Sequence, residues 1–82
     1  MANLNVVIRA RDGIKYNGEA LVVSSINPKG IFDVLPSHAN FICTIEKKVW
    51  LQTADNKRQE FNVENGVLHV ASNQVLIYLD IK

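Results

Sequence analysis

The chain has 82 residues, with nine basic and eight acidic side chains and a formal net charge of +1. That near-balance leaves no basic stripe of the kind nucleic-acid binding requires, so nucleic-acid partners are excluded. With 48% apolar and 21% charged residues the composition is that of a folding chain, and at this length residues 1–82 form one domain that buries roughly 60–65% of the surface its unfolded form exposes.

Met1-Ala2-Asn3-Leu4 lacks the charged start and apolar core of a signal peptide. No apolar run approaches the ~20 residues of a membrane span, so any work at a membrane is peripheral. Leu4, Val6, Ile8 and Ala10 alternate with polar positions and predict a first strand. Asp12-Gly13 marks a turn, and Asn17-Gly18 is a two-residue hairpin signal, because both residues tolerate positive φ. The expected pairing is Ile14–Tyr16 with a strand from Glu19 to Ile26, in which Leu21 and Val23 oppose Ala20, Val22 and Ile26.

Turns follow at Asn27-Pro28-Lys29-Gly30 and Pro36-Ser37. Phe41, Cys43 and Ile45 then share one strand face, and further on Trp50 lies opposite Val49 and Leu51, as either a core anchor or an interface hot spot. Lys47-Lys48 and Lys57-Arg58 read as solvated strand ends and edge protection. Asp55-Asn56, Asn65-Gly66 and Ser72-Asn73 mark three more turns before a last strand carrying Val75, Ile77, Leu79 and Ile81 on one face and Leu76 and Tyr78 on the other. Turn signals thus recur roughly every eight to twelve residues with no helical period between them. The expectation is an all-β fold, a flattened β-sandwich of about eight to ten short, mostly antiparallel strands. Apolar residues on both faces of several strands point either to core filling at sandwich corners or to a partner surface.

The residues offer little chemistry. Ser37 and His38 are neighbours in an extended loop with Asp33 close by. Adjacent side chains in extended chain point apart, which is poor placement for a nucleophile and its base. His38, His69 and Cys43 lack the close spacing of a zinc motif. Cys43, the one cysteine, rules out an intramolecular disulfide and reads as a buried inert thiol. His69 lines up with Val67 and Ala71 as an exposed or half-buried histidine. No Gly-X4-Gly-Lys loop exists for nucleotide hydrolysis.

The stretch Gly30-Ile31-Phe32-Asp33-Val34-Leu35-Pro36-Ser37-His38-Ala39-Asn40-Phe41-Ile42 resembles the signature of the epsilon subunit of rotary ATP synthases, called delta in mitochondria. That family reads Gly-Glu-Leu/Phe-Gly-Ile-Leu-Pro-Gly-His-Ala-Pro-Leu here. Gly30, Phe32, Leu35, Pro36, His38 and Ala39 match, whereas Ile31, Asp33, Ser37 and Asn40 depart from the pattern. The segment from Glu64 to Asp80 is similar to the family's Gly-Gly-Phe-Leu-Glu-Val-X-X-Asn-X-Val-Thr-Val-Leu-Ala-Asp ending, so the shared frame covers nearly the whole chain.

The resemblance implies a non-catalytic rotor subunit in the central stalk of an F-type ATP synthase, without cofactor or metal. It would dock on the gamma shaft subunit and the membrane c-ring, peripheral to the cytoplasmic face of the bacterial inner membrane or an equivalent energy-coupling membrane. By position, Asn27, Pro28, Lys29, Gly30 and Ile31, with Asp33 as a substitute for the missing acidic residue, match the ring-facing turn. Ser37, His38, Ala39 and Asn40 match the shaft-facing loop. The sequence runs to Lys82, just after the last strand, either as an excised domain or as a minimal form, so the ATP-binding and restraining roles of the C-terminal helical hairpin found in many family members are not carried over. The sequence leaves open whether the isolated domain self-associates through the apolar face that a partner would cover. The rival readings are a free-standing β-sandwich binding module and a small hydrolase centred on His38.

Overall fold

The computed structural model of the chain describes residues 3–36 and 40–79. Seven strands run through these residues and no helix: β1 Leu4–Ala10, β2 Gly13–Ala20, β3 Val22–Asn27, β4 Gly30–Val34, β5 Phe41–Gln52, β6 Arg58–Ala71 and β7 Gln74–Leu79. Hydrogen bonding links them in the order β2-β1-β7-β6-β5-β3-β4. Every pairing is antiparallel except β1 with β7.

The sheet becomes a sandwich because its two longest strands bend together. Between Glu46 and Lys47 the β5–β6 register slips, leaving Glu64 as an extra residue on β6, and Lys47 takes a left-handed φ of 71°. A bulge of this kind sharpens the local twist and turns the strand pair. On one side of the bend β6 pairs with β7, which continues to β1 and β2; on the other side β5 pairs with β3, which continues to β4. Counting each half of β5 and β6 as its own segment gives nine, in line with the sandwich that the turn spacing predicts.

The inner faces carry the alternation read from the sequence. Leu4, Val6 and Ile8, then Leu68 and Val70, then Val75, Ile77 and Leu79 are buried from the first layer, and Val23, Val34, Val49, Leu51 and Val63 from the second. Two aromatic pairs close the open sides. Tyr16 of β2 meets Phe61 of β6 edge-on at 6.5 Å, and Phe32 of β4 meets Phe41 of β5 at 6.4 Å. Each joins an edge strand of one layer to the bent hairpin of the other.

Several turn signals prove to be something else. Asn17 and Gly18 lie inside β2, opposite Val7 and Val6, and the hairpin turns instead at Arg11-Asp12, with Gly13 at a φ of 136°. Gly18 is instead the bed for the Tyr16 ring, whose hydroxyl oxygen would stand 3.1 Å from a Cβ placed there and which donates to the Glu19 carbonyl at 2.9 Å. The expected strand from Glu19 to Ile26 breaks at Leu21, which carries the chain from one layer to the other while its N–H donates to the Gln52 carbonyl at 2.8 Å. Asn65-Gly66 stays within β6 at the bulge. Lys47 and Lys48 likewise sit at the bend in mid-strand rather than at a strand end, and the Lys48 carbonyl accepts from the buried Ser25 hydroxyl at 2.8 Å. Ser72-Asn73 is the turn it was expected to be, with both residues at positive φ.

Cys43 is half-buried against the core, and burial raises its thiol pKa. Only the thiolate attacks alkylating reagents. Modification of the native chain by iodoacetamide at pH 8 should therefore run more slowly than in denaturant; equal rates would show that the thiol is not shielded.

Candidate functional site

The β3–β4 hairpin gathers one group of the residues singled out in the sequence. Asn27 and Gly30 face each other across the turn. The Asn27 Oδ1 accepts from the Lys29 backbone N–H at 2.8 Å, and Gly30 has a φ of 127°, a conformation a side chain would strain. Pro28, Lys29 and Gly30 are exposed. β4 is extended from Gly30 to Val34, so Ile31 and Asp33 share the outer face of the second layer. Ile31 is 70% exposed. Asp33 accepts a 2.5 Å hydrogen bond from the buried Ser24 hydroxyl, which fixes its carboxylate against β3.

Asn40 stands apart from this hairpin. Its Oδ1 accepts from the Ser72 backbone N–H at 3.1 Å, pinning the entry of β5 to the β6–β7 turn. Ser37, His38 and Ala39 lie outside the described residues. The Ser-His-Asp arrangement gains nothing from the neighbourhood of Asp33, whose carboxylate is already engaged by Ser24. No three His, Cys, Asp or Glu side chains converge as metal ligands among the described residues.

Trp50 lies on the same outer face, next to Ser24 in the register, with Arg58 stacked 5.5 Å from the ring centroid. Arg58 also bonds Glu60 at 2.7 Å, and Lys48 stands 3.9 Å from that carboxylate. The tryptophan is thus a half-buried outer-face residue covered by a cation, not a core anchor.

The outer face of the first layer is different in kind. The register aligns Ile42, His69, Leu76 and Val7 in one row and Thr44, Val67, Tyr78 and Arg9 in the next. Ile42 is 66% exposed and Tyr78 42% exposed. Of this surface the sequence pointed to Leu76 and Tyr78 and to His69 beside Val67; the parity of Ile42 against Phe41, Cys43 and Ile45 was the signal for Ile42. The two outer faces therefore offer one mixed polar hairpin surface and one apolar row centred on an exposed imidazole.

The comparisons with known proteins converge on one family. The family model described as ATP synthase, Delta/Epsilon chain, beta-sandwich domain matches residues 3–81. Among solved structures, a chain in the cryo-EM structure of Euglena gracilis mitochondrial ATP synthase, OSCP/F1/c-ring in rotational state 1, is similar with a TM-score of 0.89 at 15% identity, covering 96% of this chain and 51% of that one. A chain in the cryo-EM structure of Tetrahymena thermophila mitochondrial ATP synthase, central stalk/c-ring, is similar with a TM-score of 0.79 at 10% identity, covering 98% of this chain and 65% of that one. At those identities the likeness is one of fold, and this chain spans about half the length of the first and under two thirds of the second. Matched over nearly its whole length, the chain belongs to the family of the ATP synthase delta/epsilon chain, beta-sandwich domain.

Proposed function

We propose that the chain is the β-sandwich domain of a non-catalytic rotor subunit in the central stalk of an F-type ATP synthase, docking on the gamma shaft subunit and the c-ring so that ion-driven rotation is coupled to ATP synthesis. The observation that carries this is the family match over residues 3–81. The similar structures, which are of OSCP/F1/c-ring and central stalk/c-ring assemblies, support it. A close-packed sandwich suits the task, since torque passes through a body of low compressibility. The turn Asn27-Pro28-Lys29-Gly30-Ile31 with Asp33 meets the ring, and Ser37-His38-Ala39-Asn40 the shaft. The domain is then held peripherally at an energy-coupling membrane, the cytoplasmic face of a bacterial inner membrane or the mitochondrial equivalent.

Co-expression with the cognate shaft subunit tests the reading. A complex stable at micromolar concentration is expected, and its absence would count against the rotor assignment. Lys29 is exposed at the turn, so Lys29→Glu should weaken assembly with the ring while leaving the melting temperature of the isolated chain unchanged. Unaltered assembly would remove this turn from the ring contact.

A further inference from the structure

Among the described residues the strand order ends on β2 and β4, and these two terminal strands are built differently. β2 is guarded against further pairing. Between Ile8 and Arg9 the register slips so that Lys15 is an extra residue, and its ammonium pairs with Asp12 at 3.0 Å. A bulge and a lysine on an edge are standard obstacles to a second strand. β4 has neither. Gly30–Val34 pairs with β3 without a slip, contains no lysine or proline, and presents Ile31 at 70% exposure.

The hydrogen-bond phase of β4 follows from its turn. Asn27 and Gly30 close a two-residue loop and so exchange both main-chain bonds, and in an antiparallel ladder such pairs recur at every second position. Ser25 with Phe32 and Val23 with Val34 are therefore the next bonded pairs. The N–H and C=O groups of Ile31 and Asp33 point the other way, to the side on which no described strand pairs with β4.

We propose that this edge pairs with β4 of a second copy, antiparallel about a two-fold axis at Phe32. Only that register uses every outward group of β4: Ile31 faces Asp33 of the partner and Asp33 faces Ile31, giving about four main-chain bonds between the strands. It keeps the two carboxylates from lying directly opposite each other, which would be unfavourable. Pairing Ile31 with its own copy, or Asp33 with its own, makes half as many bonds. The contact is isologous and closes on itself, so it stops at a dimer rather than running on as a fibre. It goes beyond the rotor reading and needs no other subunit; because it uses the same hairpin, a ring seated there would displace the second copy.

The test is self-association of the purified chain by sedimentation across a concentration series. The interface is of the weak class, so a dissociation constant of about 0.1–1 mM is expected. Charge at position 31 reads the register. Ile31→Glu sets two like-charged pairs across the strands and should weaken the dimer roughly three- to tenfold, whereas Ile31→Lys sets two opposite pairs and should hold or tighten it. Amide exchange at Ile31 and Asp33 should slow with concentration, while Phe32 is protected throughout. A chain monomeric up to several millimolar, equal weakening by Glu and Lys, or exchange at Ile31 and Asp33 that ignores concentration would each overturn the proposal. None of these outcomes bears on binding to a shaft subunit.

Discussion

Replacing Gly66 by alanine is expected to lower the melting temperature of the chain by roughly 10–25 °C, from a loss of about 2–4 kcal/mol. Gly66 sits on β6 between Ile45 of β5 and Leu79 of β7. A Cβ there would stand 2.5 Å from the Tyr78 carbonyl oxygen and 3.3 Å from side-chain atoms of both Ile45 and Leu79. The nearest atom is backbone and cannot swing aside, so relief comes only by parting β6 from β7 next to the bulge that turns the sheet. Gly18→Ala is the control. Its Cβ would meet the Tyr16 ring at 3.1–3.5 Å, and a half-exposed ring can move, so a cost under about 1 kcal/mol is expected. Thermal denaturation of both variants checks this, and similar losses would mean that the approach of β7 does not demand glycine at position 66.

Leu68→Ala should cost about 2–5 kcal/mol in a urea melt. For a chain of this size the whole stability is on the order of 4–12 kcal/mol, so this one truncation would remove a large share of it. Leu68 is fully buried on a central strand, flanked by Cys43 of β5 and Ile77 of β7. Ile42, one residue before Cys43 and 66% exposed, points away from that core. Ile42→Ala should change stability by no more than about 0.5 kcal/mol. Comparable losses at the two positions would contradict the assignment of inner and outer faces.

How much of this was legible beforehand depends on which force decides each position. Leu4, Val6 and Ile8, like Val75 and Ile77, were readable because the period of two reports burial directly and burial dominates their energy. Asn17-Gly18 and Asn65-Gly66 were misread because the same residue types serve turns, bulges and close approaches alike. What separates those uses is the partner strand, and the partner is distant in sequence. At Asn17-Gly18 the deciding partners are Val7 and Val6 of β1, and at Gly66 it is Tyr78 of β7. The break at Leu21 was hidden for a related reason, since a residue that crosses between layers is as apolar as one that continues a strand.

At the candidate site, the β3–β4 turn was legible because Asn27, Pro28 and Gly30 each have a local conformational reason to be there. The engagement of Asp33 by Ser24 was not, because it needs the β3–β4 register. Nor was the covering of Trp50 by Arg58, which requires the β5 and β6 halves beyond the bend to lie side by side.

The parallel pairing of β1 with β7 has a consequence for how the chain is made. Asn5 meets Gln74 and Arg9 meets Tyr78, so β1 is clasped between β2, which follows it directly, and β7, which lies more than sixty residues on. Until β7 has left the ribosome, the β1–β2 hairpin has one open side and an unfilled apolar face. Contacts of such long sequence separation put folding in the millisecond-to-second range typical of all-β domains. The domain is therefore committed late, and the docking of β7 on β1 is the step that completes the sheet.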